Sequence, residues 1–238
     1  MRQNSNHITR HRDCADCDHQ SSSFFCNMAR EDLKALSINK SASIYKKGQV
    51  IFNEGNRPHG LYCIYEGKVK LSKLGDFGKE QILRMAKNGD ILGYRAAVCN
   101  EKYYSTATAL EDSEICHISL ENFNKVLCNS TDLNFKLMKL LTTDVKESEK
   151  KILNISQKNV EERVAEALMV LYEVFGMEED GQTINVTITR KEIGDMAGVT
   201  TESTIRKLSD FSRKGLIKID GRKLLIPDVK KLSLVAKL

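Results

Sequence analysis

TRKEIGDMAGVTTESTIRKLSDFSRKG, residues Thr189–Gly215, reads as two short helices around a tight turn. Ile193, Met196 and Ala197 give the first helix an apolar face at helical spacing, and Gly198 ends it. Val199 serves as a staple, and Thr200 or Thr201 caps the second helix. That helix is predicted to carry Ile205, Leu208 and Phe211 inward and Glu202, Ser203, Arg206, Lys207 and Arg213 outward. Such a helix suits the major groove of DNA, its N-terminal side chains reaching base edges while flanking cations meet phosphates. An ordinary helical hairpin inside a core would share the pattern. The neighbouring sequence separates the two.

Downstream, LIKIDGRKLLIPD alternates around Asp220-Gly221, a strong hairpin signal. It predicts a wing that brings Arg222 and Lys223 to a nucleic-acid backbone, closed by a last helix over 228–236. Upstream, INVTITR reads as a strand, EEDGQ as a solvated loop, and SQKNVEERVAEAL opens an amphipathic helix with Val164, Leu168, Leu171, Val174 and Phe175 inward. From Val186 to Leu238 there are 12 Lys/Arg against 6 Asp/Glu, whereas the whole chain carries a net charge of +5. The positive excess therefore sits around the candidate reading helix, which favours a polyanion partner.

A long helix is predicted from about Thr131 to Ser156. Met138, Leu141, Val145, Ser148, Ile152 and Ile155 recur on it at intervals of 3, 4, 3, 4 and 3, the a/d seam of a two-stranded coiled coil, with Ser148 the polar member. A seam this narrow suits a partner helix better than a core and predicts a parallel homodimer. From Ser41 to Ile118 the period changes to two, in runs such as GLYCIYEGKVKLSKL cut by glycines, which indicates an antiparallel jelly roll able to enclose a ligand or to stand empty. A short helix over 27–40 with Met28, Leu33 and Leu36 inward precedes the roll, and another over 119–130 follows it. The fold class is thus α+β, divided as a cysteine-bearing arm (1–26), a jelly-roll sensor domain (27–130), a dimerisation helix (131–156) and a winged helix-turn-helix domain (157–238).

The arm, HRDCADCDHQSSSFFC, has neither helical nor strand period, yet it concentrates Cys14, Cys17 and Cys26. Cysteines gathered in a polar loop look like metal ligands. Zinc would want a fourth ligand, which His11 or His19 could supply, and an iron–sulfur cluster would want a distant cysteine folding back. Cys63, Cys99 and Cys128 read as simple core or surface thiols. Seven cysteines in a chain without an apolar N-terminal leader argue against a disulfide framework. No apolar run of about 18 residues is present, so a soluble, cytoplasmic protein is expected. Catalysis is not expected: a cupin-like enzyme would need a histidine-rich metal triad in the roll, and only His59 and His117 lie there.

This order of parts resembles the cyclic-AMP-receptor/fumarate-nitrate-reduction (CRP/FNR) superfamily of bacterial transcription regulators. The resemblance is carried by KKGQVIFNEG, LYCIYEGKVKL, NGDILG, KNVEERVAEAL and the block from Ile188 to Ile217. It implies a homodimer on a palindromic DNA operator, with RNA polymerase as a further partner. It implies that Glu202 reads a cytosine amino group and Arg206 a guanine, that Thr201 and Ile205 tune base preference, and that Ser203 and Lys207 mainly position the helix. Cyclic-nucleotide binders of the family open their phosphate segment with Gly-Glu and close it with Arg-Ser. Here GYRAAVCNEKYYSTA keeps Gly93 and Ser105 but has Tyr94 and Tyr104 in the other two places, with Arg95 projecting to the opposite face of a strand. A buried phosphate without a cation is poorly stabilised, so no cyclic nucleotide is expected. The oxygen-sensing branch instead holds a 4Fe–4S cluster, and the resemblance assigns its ligands to Cys14, Cys17, Cys26 and Cys116, although the eight residues between Cys17 and Cys26 exceed that branch's usual spacing. The alternative is a regulator of the same fold that senses another small molecule in the roll, its cysteines free or zinc-bound.

Overall fold

In the computed structural model, residues 13–19, 23–75 and 78–238 are described. The architecture is α+β, as the sequence predicts: an antiparallel jelly roll, a long helix and a C-terminal helix-turn-helix domain. The elements group into two compact units. One comprises the described part of Met1–Gly67 with Asn88–Lys139, and the other Lys68–Lys87 with Leu140–Leu238. The sequence predicts 27–130 as one stretch, whereas this division is discontinuous.

In chain order, a 3-10 turn at Cys14–Asp16 leads to α1 (Arg30–Ser37), β1 (Ser41–Tyr45), β2 (Val50–Phe52) and β3 (Gly60–Glu66). The hairpin of β4 (Val69–Leu74) and β5 (Glu80–Ala86) belongs to the second unit. Then come β6 (Ile91–Leu92), α2 (Tyr94–Cys99), β7 (Thr106–Ala109), β8 (Ser113–Ser119), α3 (Leu120–Asn129) and α4 (Thr131–Gln157). In the first unit, one antiparallel sheet has the order β1-β8-β3-β6, and β2 pairs with β7. Its register sets Ala42 opposite Cys116 and Cys116 opposite Cys63. Because side chains alternate along a strand, Leu61, Cys63 and Tyr65 share one face with Cys116 and Ile118, while Tyr62, Ile64, Ile115 and His117 take the other. On that second face the Tyr62 ring lies 5.5 Å from Phe52 and 5.1 Å from His117, and Phe52 stacks on Tyr103 at 4.1 Å.

Residues 94–99 are helical, which corrects the strand expected at Arg95. Gly93, at φ +80°, turns the chain out of β6, and the short helix that follows buries Tyr94, Ala96 and Ala97 and leaves Arg95 exposed. Ser130 starts the long helix by accepting the Leu133 N–H at 3.3 Å, and Leu133 and Leu137 are the residues that α4 buries.

In the second unit a capping box, in which the Asn159 side chain accepts the Glu162 N–H while the Glu162 carboxylate accepts the Asn159 N–H, opens α5 (Val160–Phe175). That helix buries Val164, Leu168, Leu171 and Phe175 against α6 (Arg190–Ala197), α7 (Thr201–Arg213) and α8 (Val229–Ala236). Strands β9 (Lys218–Asp220) and β10 (Lys223–Leu225) form the expected hairpin, with Asp220 paired to Lys223 and Gly221-Arg222 at its tip. The strand expected at INVTITR is reduced to a bridge between Ile184 and Met177. The Val186 N–H turns back onto the Ile184 carbonyl at 2.7 Å, a local turn that takes the backbone out of extended geometry.

Candidate functional site

Two sets of residues gather functional chemistry. The first is the helix pair α6–α7. Thr189 opens α6 with a capping box: its hydroxyl accepts the Glu192 N–H at 3.2 Å, and the Glu192 carboxylate accepts the Thr189 N–H at 2.9 Å. Gly198, at φ +65°, ends the helix. Gly194 marks the closest approach of the two helices, since a Cβ there would stand 2.9 Å from Thr204 Oγ1 and 3.0 Å from the Val199 carbonyl. Thr200 is the cap of α7, its hydroxyl accepting the Ser203 N–H at 3.2 Å.

The buried face of α7 consists of Thr204, Leu208 and Phe211. Ile205 is 48% exposed, which corrects its predicted inward position. Thr204 takes the inner place because its hydroxyl donates to the Thr200 carbonyl at 3.0 Å and so is satisfied inside. Thr200, Thr201, Glu202, Ile205 and Arg206 form an exposed surface with the partly buried Ser203. Lys207 is partly withdrawn from it. Its ammonium lies 3.1 Å from Glu161 on α5, and Lys214 reaches the same carboxylate at 2.8 Å. Hydrogen bonds from Lys214 and Lys207 hold that carboxyl below its ordinary range. On the wing, Arg222 is exposed at the tip, and Arg190 fixes the turn by donating to the Gly221 carbonyl at 2.8 Å. Lys223 pairs with Glu178 at 2.8 Å, which raises its pKa.

The second set is built where the arm meets the sheet. The Asp13 carboxylate accepts the Ala15 N–H at 2.8 Å and the Ser37 hydroxyl at 3.0 Å, and the Cys14 N–H donates to Ser37 Oγ at 2.8 Å. These bonds lock the Cys-Ala-Asp turn onto α1. Further along, the Tyr65 hydroxyl donates to Asp18 at 2.5 Å and the His19 ring meets Tyr65 edge-on at 5.0 Å. The result is a small cavity lined by Cys14, Cys17, Cys63 and Cys116, with Lys40 among them. Lys40 is 4% exposed, and its ammonium stands 3.5 Å from Cys14 Sγ. Burial, reinforced by the neighbouring thiols, pushes the Cys63 thiol well up, and burial lifts Cys116 as well, with Lys40 opposing both.

Cys26 is not among the residues that line this cavity. Its N–H donates to Ser23 at 3.0 Å, and its carbonyl accepts from Lys136 on α4. His11 lies outside the described residues. Among the described residues, no group of three or more His, Cys, Asp or Glu side chains converges as it would around a single metal ion. Cys63, expected as a simple core or surface thiol, and Lys40 also line the cavity, and the sequence does not single them out. The alternation in GLYCIYE puts Cys63 on a face with Leu61 and Tyr65, but only the pairing of β3 with β8 identifies that face as the one carrying Cys116.

Along α4, Met138, Val145, Ile152 and Ile155 are each more than half exposed, Leu141 is partly buried, and Ser148 turns its hydroxyl to the Asp144 carbonyl at 2.8 Å. Phe135, three residues before Met138 and also mostly exposed, extends this apolar stripe. No helix among the described residues is long and apolar enough to cross a membrane.

Comparison with known proteins bears on both sets. The family model of the cyclic nucleotide-binding domain matches residues 43–130, and that of the Crp-like helix-turn-helix domain matches residues 162–235. Electron transport regulator A of Shewanella oneidensis is 31% identical over 192 residues, covering 80% of this chain and 76% of the relative. The fumarate and nitrate reduction regulatory protein of Escherichia coli K12 is 28% identical over 225 residues, 94% of this chain and 90% of the relative. Among solved structures, FixK2 from Bradyrhizobium japonicum superposes with a TM-score of 0.73 at 23% identity, over 82% of this chain and 96% of that one. At that identity the likeness speaks for the fold alone. The matched relatives are regulators, not enzymes.

Proposed function

Because this chain belongs to the CRP/FNR family of DNA-binding transcription regulators, we propose that it acts as a homodimer whose hold on DNA follows oxygen or redox state through an iron–sulfur cluster. The observation that carries this reading is the cavity in which arm thiols Cys14 and Cys17 stand beside sheet thiol Cys116 and the buried Lys40. The donor chemistry fits. The cavity lining contains thiols and no carboxylate, and a buried ammonium offsets the charge that thiolates would bring. Likeness to the fumarate and nitrate reduction regulatory protein supports it at the level of the whole chain.

A cluster held there would supply an oxygen-labile cross-link between arm and sheet. The rest is done by the chain's own residues. Cys14 is fixed to α1 through Ser37, and the Cys26 carbonyl is bonded to Lys136, so a displaced arm acts directly on the start of α4. The stripe of Met138, Leu141, Val145, Ser148, Ile152 and Ile155 on that helix pairs the two chains. Pairing places two copies of α7 about one DNA turn, ~34 Å, apart on a palindromic site. Thr200, Thr201, Glu202, Ser203, Ile205 and Arg206 face the major groove, and Arg222, with Lys207 and Lys223 in secondary roles, meets phosphates. RNA polymerase is the expected downstream partner.

The test is anaerobic purification followed by iron and acid-labile sulfide analysis, and by DNA binding with and without air. Iron and sulfide in comparable amounts, with an affinity that falls on exposure to air, is the expected result. Protein without either, or with an affinity indifferent to air, would sink the proposal.

A further inference from the structure

The geometry points to Cys63, not Cys26, as the fourth thiolate beside Cys14, Cys17 and Cys116. This inference rests on the metal-site reading above and names the chain's own ligand set for it.

Three observations carry the assignment. The first is register. Cys63 and Cys116 are direct cross-strand neighbours of β3 and β8 and stand on the same face of the sheet, where opposed side chains have their Cβ atoms about 4.5–5.5 Å apart. Two thiols so placed offer one rigid edge of a ligand set, built on strands and not on a loop. The second is the cavity. Cys14, Cys17, Cys63 and Cys116 all line it, and Cys26 does not.

The third observation is Lys40. A buried ammonium needs a compensating anion, and the cavity lining holds no Asp or Glu. Asp13 acts on Lys40 by charge from outside the cavity lining, where the Ala15 N–H and the Ser37 hydroxyl hold its carboxylate. Within the lining, the groups that can add negative charge beside Lys40 are the thiols themselves, each giving up its proton as its sulfur takes a metal. Four thiolates are the ligand count of an iron–sulfur cluster, and of a tetrahedral zinc ion only if these side chains, which do not converge on a single ion here, draw together. The shared chemistry is a tetrathiolate site closed by the sheet, and iron is the occupant that the reading above requires.

The experiment uses the full-length protein, purified anaerobically and reconstituted with ferrous iron and sulfide. Loaded wild-type protein is alkylated with iodoacetamide under native conditions, and the modified cysteines are mapped by mass. Against metal-free protein alkylated in parallel, Cys14, Cys17, Cys63 and Cys116 are expected to gain protection on loading and Cys26 to be labelled in both states. In parallel, C26S is expected to keep the wild-type iron-to-chain ratio and visible spectrum. C63S and C63A should lose most of the bound iron while keeping the thermal midpoint of the metal-free wild type. Labelling of Cys63 with protection of Cys26, or iron retained by C63S and lost by C26S, overturns the assignment and leaves the cluster reading standing. Zinc without sulfide in the purified protein overturns the cluster reading, and the alkylation map still decides the ligand set. Protein that takes up neither metal overturns both.

Discussion

At the scale of single residues, α7 separates into a face that packs and an exposed face proposed to read DNA. Residues advance about 100° round a helix per step, so Thr204, Leu208 and Phe211 fall within a narrow sector while Ile205 lies well outside it. Hydrophobicity alone put Ile205 inside. The satisfied hydroxyl of Thr204 is what reverses that choice, and an exposed isoleucine beside Glu202 and Arg206 is suited to touch a thymine methyl. Arg206 is exposed, and a bidentate contact to guanine discriminates against the wrong base by about 1–3 kcal/mol. Arg206→Ala is therefore expected to flatten preference at one base pair of each half-site, by roughly 5- to 150-fold on that scale. Binding to a panel of operators, each altered at one position, measures this. Uniform weakening across the panel would make Arg206 a phosphate contact instead.

Elements show where the sequence stops being informative. Helices α4, α5 and α7 and the wing were legible because their signals are local: apolar periodicity, a capping threonine, an Asp-Gly turn. Whatever depends on long-range pairing was not. Cys63 gains its meaning only from the β3–β8 register, and the β4–β5 hairpin gains its meaning from partners over a hundred residues away. There Glu80 takes Lys70 at 3.0 Å and Lys191 of α6 at 2.9 Å, Lys70 also reaches Glu192 at 3.3 Å, and Lys191 reaches Asp195 at 2.7 Å. Burial by itself would raise the Glu80 carboxyl, but hydrogen bonds from Lys191, Ser72 and Lys70 bring it from 4.5 to about 2. A carboxyl depressed in the folded state stabilises above its unfolded value. The contribution is therefore present at neutral pH and lost as pH falls from about 4.5 towards 2. Glu80→Gln is expected to cost on the order of 2–3 kcal/mol at pH 7 and less than about half of that near pH 3, since one pKa unit corresponds to about 1.4 kcal/mol and the partly exposed side chain is screened. Urea unfolding of wild type and variant at both pH values measures it. An equal cost at both would remove the carboxylate's charge from the account.

For the whole molecule, the question is how an event at the arm would reach the helix proposed to pair two chains. Exposed Phe135, Met138, Val145, Ile152 and Ile155 form an apolar stripe of a kind that soluble proteins seldom leave bare, and a second copy of α4 would cover it. Lys136 sits at the N-terminal end of that stripe, between Phe135 and Leu137. Its ammonium holds the Cys26 carbonyl of the arm and pairs with Asp132 at 3.4 Å. This bond ties the backbone of the arm at Cys26 to the helix proposed to pair two chains. Coupling between two sites requires that each bias the same element, and the start of α4 is where arm and stripe coincide. Lys136→Ala should then leave iron and sulfide content at wild-type levels and make self-association insensitive to air. Ile152→Lys, which buries a charge in the seam, should stay monomeric under both conditions. Sedimentation of anaerobic and air-exposed samples, with metal analysis of the same fractions, reads both variants. If Lys136→Ala still dissociates on exposure to air as wild type does, the signal does not travel through the Cys26–Lys136 bond, and direct packing of α1 and α3 beneath the arm becomes the route to test.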